Sequence, residues 1–247
     1  MATRLTHLVV DTPDTVALAG WWAEALEWVV ELAEPAEAYV VPPPGEPGVP
    51  LVFVPVDDVK AGKNRVHLDL ATDSPAAQQA LVDRLVASGA KAADIGQGDV
   101  PWAVLADPEG NELCVLEPRA SYAGTGVVAA VVVDAVDPAA LAAFWAAAAG
   151  WMPVPVPSPS GAALRAPSGA GPFLEFVRTG ERHTYKNRWH LDVAGYAGED
   201  RDAAVAHLES LGAKRVEVGQ SDAPASEVTW VVLADPEGNE FCILSPR

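Results

Sequence analysis

Two passages of this chain are each written twice. Lys63-Asn64-Arg65-Val66-His67-Leu68-Asp69 returns as Lys186-Asn187-Arg188-Trp189-His190-Leu191-Asp192, and Trp102 to Arg119 (WAVLADPEGNELCVLEPR) returns as Trp230 to Arg247 (WVVLADPEGNEFCILSPR). Fourteen of the eighteen residues in the second pair are identical. Chance does not supply that, so a unit of about 120 residues is duplicated. Any fold must therefore be built twice, and any candidate site comes in two versions. The expected domains are residues 1–119 and 127–247, joined by a linker at 120–126 rich in small residues.

The 247 residues suffice for two such units, each able to bury a core, and half of them are hydrophobic. A net charge of −18 repels nucleic-acid phosphates and anionic lipid headgroups, so the expected partner is a small molecule. The opening MATRLTHLVVD lacks the apolar core of a secretory signal. The longest apolar run, Ala139 to Trp151, is shorter than the roughly 20 residues a membrane helix needs. A cytoplasmic location is expected. Cys114 and Cys242 hold equivalent places in the two copies and are read as free thiols.

Each copy divides by pattern into two smaller units of strand, helix and further strands. In the first, Leu5 to Val10 reads as a strand, and Thr12-Pro13 as the start of a helix running to about Trp28. Leu18, Trp21, Trp22, Ala25 and Leu26 form its inward face. Val127 to Val133, Asp137-Pro138, Leu141, Phe144, Trp145 and Ala148 repeat the pattern. Strands at Ala38 to Val41 and Leu51 to Val56 follow, echoed by Ala163 to Arg165 and Phe173 to Val177. The second unit opens with a strand from Arg65 to Leu70, then a helix begun by Ser74-Pro75 that turns Val82 and Leu85 inward and stops at Gly89. Its echo runs from Arg188 to Val193 and on through Val205, Leu208 and Gly212. Asp107-Pro108-Glu109-Gly110-Asn111 and Asp235-Pro236-Glu237-Gly238-Asn239 are hairpin turns. The expected fold is α+β: four βαβββ modules forming cupped mixed sheets with helices packed outside.

The module order, the DPEGNE hairpin before a final apolar strand, and a His at the head of a strand together resemble the vicinal oxygen chelate superfamily, which includes glyoxalase I, extradiol dioxygenases and bleomycin-binding proteins. The resemblance covers essentially the whole chain and is nearest its glyoxalase-like branch. It implies cupped sheets in which two paired modules each donate one side chain from the first strand and one from the last. Carried onto this sequence, those positions are His7 and Phe53, His67 and Cys114, Ala130 and Glu175, and His190 and Cys242. Pairing within a copy groups His7, His67 and Cys114, and separately Glu175, His190 and Cys242. Pairing across the chain groups His7, His190 and Cys242, and separately His67, Cys114 and Glu175. Either way a fourth ligand is missing. No complete metal site is expected, although three ligands including a thiolate suit zinc better than Mg, Mn or Fe(II).

Strand alternation puts Asp69 on the face of His67, and Asp192 on that of His190. Each pair is a candidate for acid/base catalysis or an ordinary structural hydrogen bond. Phe53, Trp102 and Trp230 are candidate walls for an apolar or aromatic ligand, or plain core. The Lys-Asn-Arg triplets either receive an anion or cap a strand, and Glu109, Asn111 and Glu112 belong to the hairpin. The leading expectation is a binding cup without a complete metal site. Its rivals are a lyase, isomerase or dioxygenase-like enzyme using His/Asp or a His/Cys/Glu-bound metal, and a structural domain whose cups are filled by their own side chains. A monomer is expected, since one duplicated chain can supply its own module pairing, with a homodimer as the alternative.

Overall fold

The computed structural model describes residues 3–156, 161–219 and 229–246. Arg247, the last residue of the repeated passage, lies outside them. Module one comprises β1 (Thr3–Thr12), α1 (Thr15–Leu26), β2 (Val29–Glu34), β3 (Glu37–Val41) and β4 (Leu51–Pro55). Module two is β5 (Val66–Leu70), α2 (Pro75–Ala87), β6 (Lys91–Ala92), β7 (Ala103–Ala106) and β8 (Glu112–Val115). A 3₁₀ turn at Ala120–Tyr122 sits in the linker. Module three has β9 (Val128–Ala135), α3 (Pro138–Ala149), β10 (Met152–Val154), β11 (Gly161–Arg165) and β12 (Phe173–Arg178). Module four has β13 (Trp189–Gly195), α4 (Arg201–Ser210), β14 (Lys214–Arg215), β15 (Trp230–Ala234) and β16 (Glu240–Leu244).

The modules pair across the chain. One sheet runs β14-β15-β16-β13-β1-β4-β3-β2 and joins modules four and one, while the other runs β10-β11-β12-β9-β5-β8-β7-β6 and joins modules three and two. The seams are antiparallel: β1 lies on β13 with His7 opposite Asp192, and β5 lies on β9 with His67 opposite Val132. Of the two pairings the sequence left open, the structure has the one across the chain, so a cup does not belong to one copy but takes half its strands from each. The boundaries at 119 and 127 separate repeats, while the hydrogen-bonded sheets cross them.

Local chemistry explains the elements. All four α-helices among the described residues begin on an aspartate or serine cap: Asp14 Oδ1 accepts Ala17 N–H at 3.0 Å, Ser74 Oγ accepts Ala77 N–H at 3.1 Å, Asp137 Oδ1 accepts Ala140 N–H at 3.2 Å and Asp200 Oδ1 accepts Asp202 N–H at 2.9 Å. The first of these corrects the Thr12-Pro13 reading. Thr12 belongs to β1, and its hydroxyl accepts the Asp14 N–H and donates to Glu109 Oε1. In α2 the buried residues are Leu81 and Leu85, with Val82 packed at the margin. Trp22, Trp145, Trp189, Phe53, Phe176 and Phe241 are fully buried between helices and sheets. The strand β2 escaped the sequence reading because most of its residues are exposed at a sheet edge, where no alternation is enforced. Among the described residues no helix is long and apolar enough to cross a membrane.

The duplicated words are the joints of this assembly. Asp107 accepts the backbone N–H groups of Glu109 and Asn111 on Oδ1 and the Trp22 indole N–H on Oδ2 at 3.1 Å. Asp235 does the same for Glu237, Asn239 and Trp145. Gly110 and Gly238 close the turns at φ 88° and 95°, a region glycine enters without strain. Arg65 of module two then crosses to module four, donating to Asn239 Oδ1 at 2.9 Å and approaching Glu237 at 3.3 Å. Arg188 of module four returns the contact, reaching Glu109 at 3.2 Å and the backbone oxygen of Asp11. Of the two readings of the Lys-Asn-Arg triplets, this is a structural one: Lys63 pairs with Asp134 at 2.6 Å and Lys186 pairs with Asp11.

Candidate functional site

Each sheet carries, on the face away from the helices, the same three side chains from one module. In the first sheet His190 and Asp192 stand two apart on β13, with Asp192 in register beside Cys242 of β16. His190 Nε2 lies 3.5 Å from Asp192 Oδ1 and 3.6 Å from Cys242 Sγ. In the second sheet His67 and Asp69 of β5 sit beside Cys114 of β8, with His67 Nε2 3.5 Å from Asp69 Oδ1. The donor atoms of each trio fall within 4.8 Å of one another. Alternation on one strand and register with the next bring them together, as the sequence anticipated for the His and Asp pairs. Burial pushes both thiols well above their ordinary range, and the neighbouring Asp carboxylate pushes them further, so Cys114 and Cys242 stay protonated in this setting.

What faces each trio differs. In the first sheet the facing module contributes His7, Val9 and Val52, and a cavity of about 880 Å³ opens over the floor. Val54, Leu244 and Trp230 add apolar walls, and Glu37, Asp57, Asp58 and Lys186 stand around it. His7 meets Tyr39 edge to face at 6.0 Å. In the second sheet the facing module brings Ala130, Val132 and Glu175, and the linker closes the cup. Tyr122 from the 3₁₀ turn donates its hydroxyl to Glu175 Oε1 at 2.9 Å, packs on Phe173, and joins Trp102 against Cys114 and Leu116. Arg119 lies over the rings of Trp102 and Tyr122 at 5.4 and 5.9 Å. Burial and the nearby Asp69 charge raise the Glu175 carboxyl, and the Tyr122 hydroxyl partly offsets this. His67 Nδ1 is buried without a hydrogen bond to the described residues.

The site residues read from the sequence therefore fall into two groups. His7, His190, Asp192, Trp230 and Cys242 share the open cup; His67, Asp69, Trp102, Cys114 and Glu175 share the closed one. Phe53 belongs to neither. It is fully buried in the core on the helix side, and Val52 and Val54 face the cavity instead. The reason is a one-residue slip. Val9 pairs with Val52 as Val132 pairs with Glu175, so Val52 is the counterpart of Glu175 and Phe53 that of Phe176. Setting Leu51-Val52-Phe53-Val54 over Leu174-Glu175-Phe176-Val177 would have shown it. Tyr122 was missed altogether, because a lone aromatic in a Gly/Ala/Ser stretch carries no periodic signal.

Comparison with known proteins agrees with this geometry. The family model of the glyoxalase-like domain matches the chain twice, at residues 7–116 and 130–244. No curated protein matches the sequence. Among solved structures, glyoxalase I from Zea mays is similar with a TM-score of 0.67 at 16% identity, over 99% of this chain and 92% of that one. A putative dioxygenase from Bacillus subtilis subsp. subtilis str. 168 is similar with a TM-score of 0.63 at 14% identity, over 98% and 84%. At these identities the likeness establishes the fold, and function must come from the site.

Proposed function

The chain belongs to the glyoxalase-like domain family of the vicinal oxygen chelate superfamily, in two tandem copies, and from that premise we propose that it binds one small, largely apolar molecule in the cup shared by modules one and four. The observation that carries this reading is the contrast between two cups with the same floor. One is a cavity of about 880 Å³ walled by Val9, Val52, Val54, Leu244 and Trp230, while Tyr122 and Trp102 pack into the other. A volume of this size suits a drug-sized ligand. Among the described lining residues, the acids Glu37, Asp57 and Asp58 against Lys186 favour neutral or cationic compounds over anionic ones.

The metal arrangement implied by the superfamily does not fit either cup. It calls for donors on the first and last strands of both paired modules, and Val52 stands at one such place in the open cup while Ala130 stands at one in the closed cup. No chemical step is assigned to a metal on that pattern. A second reading, proton transfer on a carbonyl compound, is favoured by the 3.5 Å approach of His190 to Asp192 at the cavity floor.

The test is a titration of tryptophan emission with neutral and cationic aromatic compounds. Saturable quenching is expected in the wild type, without the change in emission in Trp230→Phe, and without binding in Val52→Trp, whose indole fills the cavity. Unchanged binding in Val52→Trp would place the ligand elsewhere. For the second reading, the bound compound is incubated in deuterated solvent: label at the carbon beside the carbonyl, lost in His190→Gln and Asp192→Asn, marks catalysis.

A further inference from the structure

One side chain, Tyr122, enters the closed cup from the linker, and it is held there as a ligand would be. We infer that the closed cup is a second binding site, for single-ring phenols, whose resident occupant is this tyrosine and from which the linker turn can swing away. The inference rests on the reading of the cups as ligand sites, and it names the chemistry that the second cup takes.

The attachment of the turn supports this first. Ala120, Ser121, Ala123 and Gly124 are exposed, so one ring is tucked inward from a stretch that otherwise faces solvent. The N–H groups of Tyr122, Ala123 and Thr125 turn back onto the carbonyls of Arg119, Ala120 and Tyr122, and Thr125 Oγ1 donates to the Tyr122 carbonyl at 2.9 Å. A turn that satisfies its own backbone keeps those bonds when it moves as a unit. The ring is what ties it to the sheet, through the hydroxyl on Glu175 Oε1 at 2.9 Å and the edge contact with Phe173 at 5.7 Å. Gly124 and Gly126 follow at φ 79° and 82°, conformations that glycine enters and leaves at little cost. A hollow of about 840 Å³ lies between the turn and α2, bordered by Ala77, Ala80 and Arg84 of the helix and by Tyr122 and Ala123 of the turn. The ring therefore has space to move into without unpacking the core.

The chemistry of the vacated cup sets the class of ligand. Val52 holds in the open cup the place that Glu175 holds in the closed one, so the floors match while one wall offers an isopropyl group and the other a carboxylate. With Tyr122 gone, a partly buried carboxylate loses its donor, which disfavours any occupant that has no O–H to give. Phe173, Trp102 and Arg119 cradle a flat ring, since Arg119 lies over Trp102 at 5.4 Å and over Tyr122 at 5.9 Å. The tyrosine side chain is p-cresol on a tether, and free p-cresol can restore each of these contacts. The tethered ring competes at an effective concentration on the order of millimolar, so a free phenol must reach that level to displace it.

The test uses p-cresol and its methyl ether, 4-methylanisole, on the full chain carrying Val52→Trp, which fills the open cup and leaves the second to report. The protein is labelled with 3-fluorotyrosine and followed by fluorine NMR, the Tyr122 signal being the one missing from Tyr122→Phe. We expect p-cresol to move that signal to the position of a solvent-exposed tyrosine, with a midpoint on the order of millimolar, and equilibrium dialysis to count one p-cresol per chain. Tyr122→Ala in the same background should bind p-cresol about tenfold tighter or more, because no resident has to leave. The ether, which lacks the donor, should displace Tyr122 about tenfold less well than p-cresol or worse. A Tyr122 signal that stays in place at about ten times the expected midpoint would overturn the inference and make the ring a fixed part of the core. Displacement by both compounds alike would overturn the phenol assignment. The wild-type chain gives the same Tyr122 signal should Val52→Trp fail to fold. Binding in the open cup is read separately through Trp230 emission, so either cup can fail as a ligand site while the other succeeds.

Discussion

At the scale of single residues, neighbours on one strand have opposite fates. Val52 faces the cavity and Phe53 the core. Phe53→Ala should cost about 3–5 kcal/mol in denaturant unfolding, the usual range for emptying a well-packed phenylalanine site. Direct contact with a ligand in the open cup is not affected, so at temperatures where the variant is folded its affinity should match the wild type. A loss of affinity with stability intact would return Phe53 to the wall. Tyr122 argues the converse case. Tyr122→Ala removes the ring that packs over Cys114 and meets Glu175, so the second cup should open and bind the same neutral probes, raising capacity from one to two per chain by equilibrium dialysis. The His/Asp pairs were legible because alternation on a strand is a strict period of two. Phe53 was misread because the same period punishes a slip of one, and Tyr122 was illegible because plugging a cup is a tertiary event.

Elements are held to one another by the hairpins and the arginines that cross to them. Arg65 and Glu237 are both largely buried, with Asn239, Val136 and Asp137 completing the network. Removing one partner strands a charge, so Arg65→Ala should destabilise by on the order of 3 kcal/mol. The double variant with Glu237→Gln should cost less than the sum, with a coupling of about 1–3 kcal/mol from denaturant midpoints. The hairpin acids also set a pH dependence. Burial tends to raise the Glu240 carboxyl, but the His183 ring at 3.1 Å and the Asn187 N–H outweigh it and hold the group below its ordinary value of 4.5. A folded pKa below the unfolded one stabilises above the unfolded value, and the contribution is lost as pH falls through the folded value. Unfolding midpoints of wild type and Glu240→Gln should therefore differ above the ordinary carboxyl range and converge as pH falls through the lowered folded value. Glu109, raised chiefly by burial, runs the other way: its contribution is present in acid and lost as pH rises through its folded value. The hairpins themselves were plain in the sequence, since proline and glycine fix a turn locally. Their partners were not, because Arg65 to Asn239 spans most of the chain.

On the scale of the whole molecule, the repeat in the sequence and the sheets in the structure divide the chain differently. Four modules, their helices and their strand order follow from local pattern, but which module meets which depends on the β1–β13 and β5–β9 seams, joining residues far apart in sequence. Both groupings of donors were available from the sequence, and only the seam chooses between them. The choice has a physical consequence. A cut in the linker leaves the first half with β1 and β5 lacking their antiparallel neighbours, and the second half with β9 and β13 in the same condition. Unpaired central strands offer open edges to any other strand. The core is likewise shared, since Trp22 of α1 meets Trp189 of β13 edge to face at 5.3 Å. Halves made separately, 1–122 and 123–247, should each aggregate or pair with themselves, whereas halves made together should elute as a one-to-one complex with slow amide exchange along β1, β5, β9 and β13. Should each half unfold cooperatively as a monomer on its own, the seams would be dispensable and the cups would belong to single copies after all. Self-association without a stable mixed complex would show that the linker, by holding one half at high effective concentration beside the other, is what selects cross-pairing.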